Sequence, residues 1–450
     1  MHLTRTCKIA CAVLAAIVAL GLGAYVYQLV GGLGVTGMSN GTSWGLYIAS
    51  FMFLEGLGAG ALAVASAATV FRVSACRAAV PPAVLAALVC MCLAGVLVLV
   101  DLGGIARILN MAVSFNPTSP LFWDVCLVTC FLAVCVAFLY AIFSKRGGAS
   151  AQMMVARVAL PVSVLVPSAT AWLFGLQIAR EGWYSSIMAP LFVASALDSG
   201  LALLLLALVW MNRSRVLAAS RELVAGLAGL LAVFVAVDGY MVGCEVLTMA
   251  YPGTEQGLAL LAEMTAGSMA PFFWTEVVVG VLIPFCLLAF AKNRQRTGAV
   301  VLASAGVLVG VFCKRIWLLL ASFVHPNVSG APGLISGSSS TQGLEGAGGW
   351  AVSSSYVPTL PEVLVVAGVL ALGVLAFVVL ARRLLACDPA LDASAGCGRP
   401  RAERAHAAPD REGARIEEAG SGTAFAVSTP APVRENAFTM LPSADEGRPR

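Results

Sequence analysis

Apolar residues run along this chain in ten long stretches, near 9–30, 44–70, 81–105, 121–143, 155–177, 190–210, 223–248, 271–290, 299–322 and 361–385. A membrane span needs roughly 20 such residues to cross a hydrocarbon core of about 30 Å. The pattern therefore predicts an all-α membrane protein of about ten transmembrane helices. Glycine recurs inside the stretches, as at Gly56, Gly58 and Gly60 of the second, which suits close helix contact in lipid. The first stretch follows Arg5 and Lys8 as a signal peptide would. It is too long, and Tyr25-Val26-Tyr27-Gln28 is a poor cleavage site, so it reads as a span. The 325–360 loop is rich in Gly and Ser. From Cys387 onward Ala, Pro, Arg and Glu replace the periodic pattern, so 1–386 reads as the polytopic domain and 387–450 as a disordered cytoplasmic tail.

Basic residues fix an orientation. Arg5, Lys8, Arg72, Arg77, Lys145, Arg146, Arg157, Arg213, Arg215, Arg221, Lys292, Arg294, Arg296, Arg382 and Arg383 fall on one side, against Arg107, Arg180, Lys314 and Arg315 toward the other. The positive-inside rule then places both termini in the cytoplasm of a bacterial inner membrane, which an even number of spans allows. Acids gather toward the opposite face. Counted from the span ends at about 1.5 Å per residue, Asp101, Asp124, Glu245, Glu276 and Glu362 lie near the outer boundary. On the same count Asp198, Lys314 and Arg315 lie on the order of 10 Å in, and Glu55 and Asp238 near the midplane. A polar cavity opening from the outer face is the expectation.

Composition narrows the chemistry. Sixty per cent apolar and eleven per cent charged residues fit a polytopic membrane protein in a lipid bilayer, and nothing calls for nucleic acid. None of the three histidines lies well inside a span, which argues against haem, since haem would need paired intramembrane histidines as axial ligands. The thirteen cysteines are scattered. Cys126, Cys130 and Cys135 share helical spacing without a C-x-x-C run, so apolar packing is their reading, with no iron–sulfur cluster in this chain.

Two blocks of four spans look alike. Tyr47-Ile48-Ala49-Ser50 is echoed by Phe192-Val193-Ala194-Ser195, 145 residues on (47 to 192), and each precedes an acid, Glu55 or Asp198. Pro120-Leu121-Phe122-Trp123-Asp124 is echoed by Pro271-Phe272-Phe273-Trp274-Thr275-Glu276, 151 residues on (120 to 271). Four crossings restore the orientation, so the expectation is two parallel four-helix bundles, spans two to five and six to nine, with spans one and ten added.

An ionisable group in hydrocarbon is a functional candidate by default, yet each has a plainer reading. Asp101 and Arg107 can form a helix-end ion pair. Asp124 and Glu276 sit in first turns, where a carboxylate suits the helix dipole, and Trp123 and Trp274 can belong to an aromatic belt. Lys314 and Arg315 point about 100° apart and cannot both snorkel one way, so at least one should pair with an acid of spans six to eight. His325 reads as a loop residue. The chemistry that fits is quinol oxidation or quinone reduction. Spans two to five offer an apolar slot, hydrogen-bonding groups and carboxyls for protons, while the electron acceptor must lie in another subunit.

Several motifs resemble the NrfD/PsrC family of membrane subunits. They are Trp44-Gly45-Leu46-Tyr47-Ile48 with Phe53-Leu54-Glu55-Gly56-Leu57-Gly58-Ala59-Gly60, Asn116 to Asp124, Gln177 to Trp183, Phe273 to Val277 with Gly280 and Pro284, and Tyr356 to Glu362. The closing Tyr-x-Pro…Glu motif and ten spans are more similar to the longer HybB-like branch than to eight-span members. The resemblance implies a subunit that binds menaquinone or ubiquinone as exchangeable substrate near the outer face. It implies as partners a ferredoxin-like iron–sulfur subunit and a molybdopterin catalytic subunit, or less often a hydrogenase or multihaem cytochrome. It carries over Glu55, Asp101, Asp124, Arg180 and Glu276 as family-like polar positions. Tyr47 and Ser168 join Glu55 and Asp124 as candidate quinone-oxygen ligands, because the histidine some members carry early in span two is absent between Tyr47 and Leu54.

Four readings follow. In the first, quinol gives electrons to the docked subunit, with Glu55, Asp124, Asp238 and Glu276 as proton path or quinol contacts, and Arg107, Asp198, Lys314 and Arg315 in structural ion pairs. In the second, Glu55 and Asp238 belong to a proton translocator. The third is a secondary transporter, for which internal repeats speak and the absence of clearly broken spans does not. The fourth is a scaffold that only tethers a soluble enzyme.

Overall fold

The computed structural model describes residues 5–39, 42–144, 148–178, 180, 182–324 and 356–385. His325, Lys145, Arg146, most of the 325–360 loop and the 387–450 tail lie outside the described residues. Among the described residues, ten helices are long and apolar enough to cross a membrane: Cys7–Gly31, Leu46–Val70, Ser74–Asp101, Pro120–Phe143, Ala149–Gly175, Met188–Arg213, Arg221–Ala250, Ala270–Ala289, Thr297–Val324 and Leu360–Leu384. They are called spans one to ten below. Among the described residues there is no strand. The protein is an all-α, multi-pass membrane protein.

Local chemistry sets the span ends. Pro120 and Pro271 occupy first turns, where a missing N–H costs nothing. Ser220 caps span seven by accepting from the Leu223 N–H. Thr359 and Glu362 form a reciprocal capping box on span ten. Spans two and six end alike, with an arginine in the left-handed region: Arg72 at φ 54° and Arg215 at φ 53°. Val73 then donates to the Ala68 carbonyl, and Val216 to that of Met211. These are the same helix stop, 143 residues apart (72 to 215).

Spans two, three, four and five touch in cyclic order, and so do six, seven, eight and nine. Span two is the most enclosed, with 94% of its most apolar window buried, and it packs on span six as well. That crossing is made by glycine. A Cβ on Gly60 would fall 1.7 Å from the Ala196 carbonyl oxygen, and one on Gly200 would fall 2.4 Å from the Ala61 nitrogen. Spans one and ten pair separately, backbone to backbone at Gly21 and Gly368. In lipid such contact replaces the hydrophobic effect as the source of helix association.

Span eight is not uniform. It runs as α-helix over Ala270–Thr275, as π-helix over Glu276–Leu282 and as α-helix again over Ile283–Ala289. Pro284 has no N–H for a bond four residues back, and a wider turn accommodates its ring. Gly280 meets Gly310 of span nine across the widened segment.

Candidate functional site

Span five draws two buried acids together. The Thr170 hydroxyl lies 2.5 Å from Glu55 Oε1 and 2.7 Å from Asp124 Oδ1. Thr170 is fully buried, Glu55 is 1% exposed and Asp124 4%. Three spans meet at one oxygen. A hydroxyl carries one proton and two acceptor lone pairs, so it can donate to only one carboxyl. The other contact is a hydrogen bond only when that carboxyl holds a proton of its own and donates. The same hydroxyl also lies 3.3 Å from the Val166 carbonyl of its own helix.

A second cluster lies across spans seven, eight and nine. Lys314 donates to both Asp238 oxygens at 2.7 and 2.6 Å, and its nitrogen stands 2.8 Å from Glu276 Oε1. The Glu276 contact is an ion pair without hydrogen-bond alignment. The other Glu276 oxygen accepts the Trp317 indole N–H at 2.5 Å. Placing Glu276 at the start of the π segment turns its carboxylate toward span nine. Arg315 points the other way. It donates to the Ser195 hydroxyl at 2.7 Å and stacks 3.9 Å over the Phe192 ring. Its guanidinium also lies against Gly56, one residue from Glu55.

At the end of the bundle nearest these acids, Tyr47 donates to Gln28 at 2.5 Å, and the Gln28 amide donates to the Val100 carbonyl. Glu362 accepts from the Gly37 and Thr359 backbones and from the Tyr356 hydroxyl, which itself accepts from the Leu46 N–H. Burial and the neighbouring Glu362 carboxylate push the Tyr356 phenol above its ordinary range. Arg180 donates to the Ser322 carbonyl and stacks on Phe323. From there Phe323, Trp183, Trp44, Phe174 and Phe192 touch in sequence down to Arg315.

A family model described as polysulphide reductase, NrfD, matches residues 34–327, which takes in spans two to nine. The chain belongs to the NrfD family. Its relatives include a putative membrane subunit of dimethyl sulfoxide reductase from Halobacterium salinarum, 33% identical over 81% of this chain and 88% of the relative. The Hdr-like menaquinol oxidoreductase integral membrane subunit of Archaeoglobus fulgidus is 29% identical over 82% and 90%. A subunit of selenate reductase from Mesobacillus selenatarsenatis is 23% identical over 71% and 83%.

Against the sequence expectations for this NrfD-family chain, several positions move. Glu55 and Asp124 share one level, as do Asp238 and Glu276, although depths counted from span ends separate them. Such counting assumes that the spans begin in a common plane, and they are staggered. Asp124 is not a helix-end cap, because its carboxyl is taken by Thr170. The acids are closed over, with Asp198, Asp238 and Glu276 each 1% exposed, rather than lining an open cavity. Ser168 turns its hydroxyl back onto the Val164 carbonyl of its own helix, beside Pro167. Two residues on, Thr170 reaches the site's carboxyls as well as the Val166 carbonyl of its own helix. Arg107 forms no ion pair with Asp101 among the described residues. Arg315 pairs with a hydroxyl and a ring, not with Asp198, one of whose oxygens is buried without a hydrogen-bond partner among the described residues. Tyr47 and Asp101 form a separate group, Tyr47 standing eight residues of helix before Glu55, roughly 12 Å away.

Proposed function

We propose that this NrfD-family chain is the membrane anchor and quinol-handling subunit of a respiratory oxidoreductase complex. A quinol oxidised beside spans two to five releases two protons and two electrons. The electrons pass to a ferredoxin-like iron–sulfur subunit docked on the outer face, and from it to a molybdopterin catalytic subunit. The protons are taken one at a time by the Glu55–Thr170–Asp124 trio, with Tyr47, Asp101 and Arg180 as contacts for the quinone ring. Menaquinone is favoured as substrate by the naming of the Archaeoglobus relative as a menaquinol oxidoreductase subunit. The bias of the basic residues supports an orientation with both termini facing the cytoplasm of a bacterial inner membrane.

One observation carries the reading: two buried carboxyls that share a hydroxyl. An ion-paired acid can serve packing alone. A carboxyl pair with no cation bonded to it among the described residues is suited to taking up and giving back a proton. Glu55→Gln tests it in the intact complex. Quinol-dependent turnover should fall by about 10²–10⁴-fold, the usual worth of a positioned acid–base group, while turnover with an artificial electron donor is unchanged. Undiminished quinol turnover would remove Glu55 from the path.

A second reading, proton translocation, draws on Arg315. Its guanidinium lies between Glu55 and the Lys314 cluster, so the polar groups continue from one four-span group into the other. Proton release measured on both sides of sealed vesicles during quinol oxidation separates the readings, since only the second acidifies the outside by more than the two quinol protons.

A further inference from the structure

Spans seven and eight leave an apolar groove between them. Two connected hollows of about 350 and 500 Å³ share Ala236 and Phe285. Span seven contributes small residues at helical spacing, Gly229, Ala232, Ala236 and Gly239, and span eight contributes Val277, Val281 and Phe285. From Gly229 to Val242 the groove runs thirteen residues of helix, about 20 Å, which exceeds the roughly 15 Å half-thickness of the hydrocarbon core. That is the reach of one extended acyl chain anchored at one surface.

The groove's charged wall residue is at one mouth. Arg294 lines it there, folded over Gly229, with one guanidinium nitrogen bonded to the Ala289 carbonyl and its Nε buried without a partner among the described residues. Lys292 and Arg296 stand two residues to either side of it in the chain. A basic mouth above an apolar trough complements a phosphate carried on a hydrocarbon chain. A quinone fits less well, because its two ring oxygens need hydrogen-bond partners on both sides and the trough presents its guanidinium at one end only.

We infer that this groove is a resident site for an anionic glycerophospholipid, with its phosphate on Arg294 and one acyl chain along span seven. The site is separate from the quinol-handling residues. Its wall nevertheless includes Val277, Val281 and Leu282 of the π segment that begins at Glu276. An acyl chain lying there braces the segment that holds Glu276 against Lys314.

The full-length chain, stripped of lipid in mild detergent, is titrated with phosphatidylglycerol and with phosphatidylcholine of the same chains, and bound lipid is counted by native mass spectrometry. One phosphatidylglycerol should be held in preference to phosphatidylcholine. Arg294→Gln should weaken it about fivefold, the worth of one basic residue beside an anionic headgroup. Arg294→Lys should retain most of the binding. Ala236→Phe fills the trough with Arg294 intact and should also weaken retention. Equal retention of the two lipids, phosphatidylglycerol binding undiminished in Arg294→Gln or Ala236→Phe, or its displacement by menaquinone would each overturn the assignment.

Discussion

The two four-span groups solve one problem differently. In the first, span five brings a hydroxyl, Thr170, to two carboxyls on spans two and four. In the second, span nine brings an ammonium, Lys314, to two carboxylates on spans seven and eight. Thr170 and Lys314 are 144 residues apart (170 to 314), close to the spacing of the other echoes between the groups. The difference is one of charge. The first pair has a neutral hydroxyl between its carboxyls, with the Arg315 guanidinium nearby against Gly56, and under the proposed function it holds a proton that can move. Two carboxylates around a lysine can stay ionised, so the second group is a fixed clamp.

The largest effect should come from breaking the clamp. Lys314→Ala leaves Asp238 and Glu276 buried without their cation, which costs about 3–5 kcal/mol. Thermal unfolding in detergent should show the loss, and the yield of assembled complex should drop with it. The companion variant Lys314→Met with Asp238→Asn and Glu276→Gln removes all three charges together and should recover most of that stability. Failure to recover would mean the second group does more than hold spans together.

Converting the first group into the second is a sharper trial. Thr170→Lys places a cation between Glu55 and Asp124, so the protein should still assemble, and quinol turnover should be lost because the pair is pinned in its ionised form. Retained turnover would break the comparison. Thr170→Val removes the hydroxyl alone and leaves a buried carboxyl contact unmet, a loss of about 1–3 kcal/mol in melting. Thr170→Ser should behave as the native chain.

The smallest effect concerns a feature the halves share. The Trp123 indole donates to the Pro117 carbonyl and the Trp274 indole to that of Thr265, each across the loop before its span. Trp123→Phe and Trp274→Phe should each cost about 1 kcal/mol, the net worth of one hydrogen bond, and by similar amounts. A large loss from one alone would show that the shared sequence hides different roles.

Much of this architecture is written in the order of residues. Span number and approximate limits follow from apolar length, and the Pro-aromatic-Trp openings of spans four and eight mark matching places. Glu55, Asp124, Asp238, Glu276 and Lys314 stand out because charge in hydrocarbon is costly. Thr170 does not, since a threonine in an apolar helix commonly bonds its own preceding turn, as Ser168 does. A signal is nevertheless present. Aligning Ala171-Trp172-Leu173 with Ile316-Trp317-Leu318 sets Thr170 opposite Arg315, at the polar level of span nine. Gln28 and the π segment are beyond such reasoning. The first lies on a span outside the repeat, and the second reflects Pro284 acting together with a glycine contact from span nine.

The seam at Gly60 and Gly200 has a mechanical consequence. A carrier that serves both membrane faces in turn rocks one half against the other around its site. Here the halves meet with main chain on main chain, where an added methyl group would already collide. Tilting them one way would drive carbonyls into amides, and tilting them the other would peel open the closely fitted strip. Rocking one half against the other would have to break this close contact first.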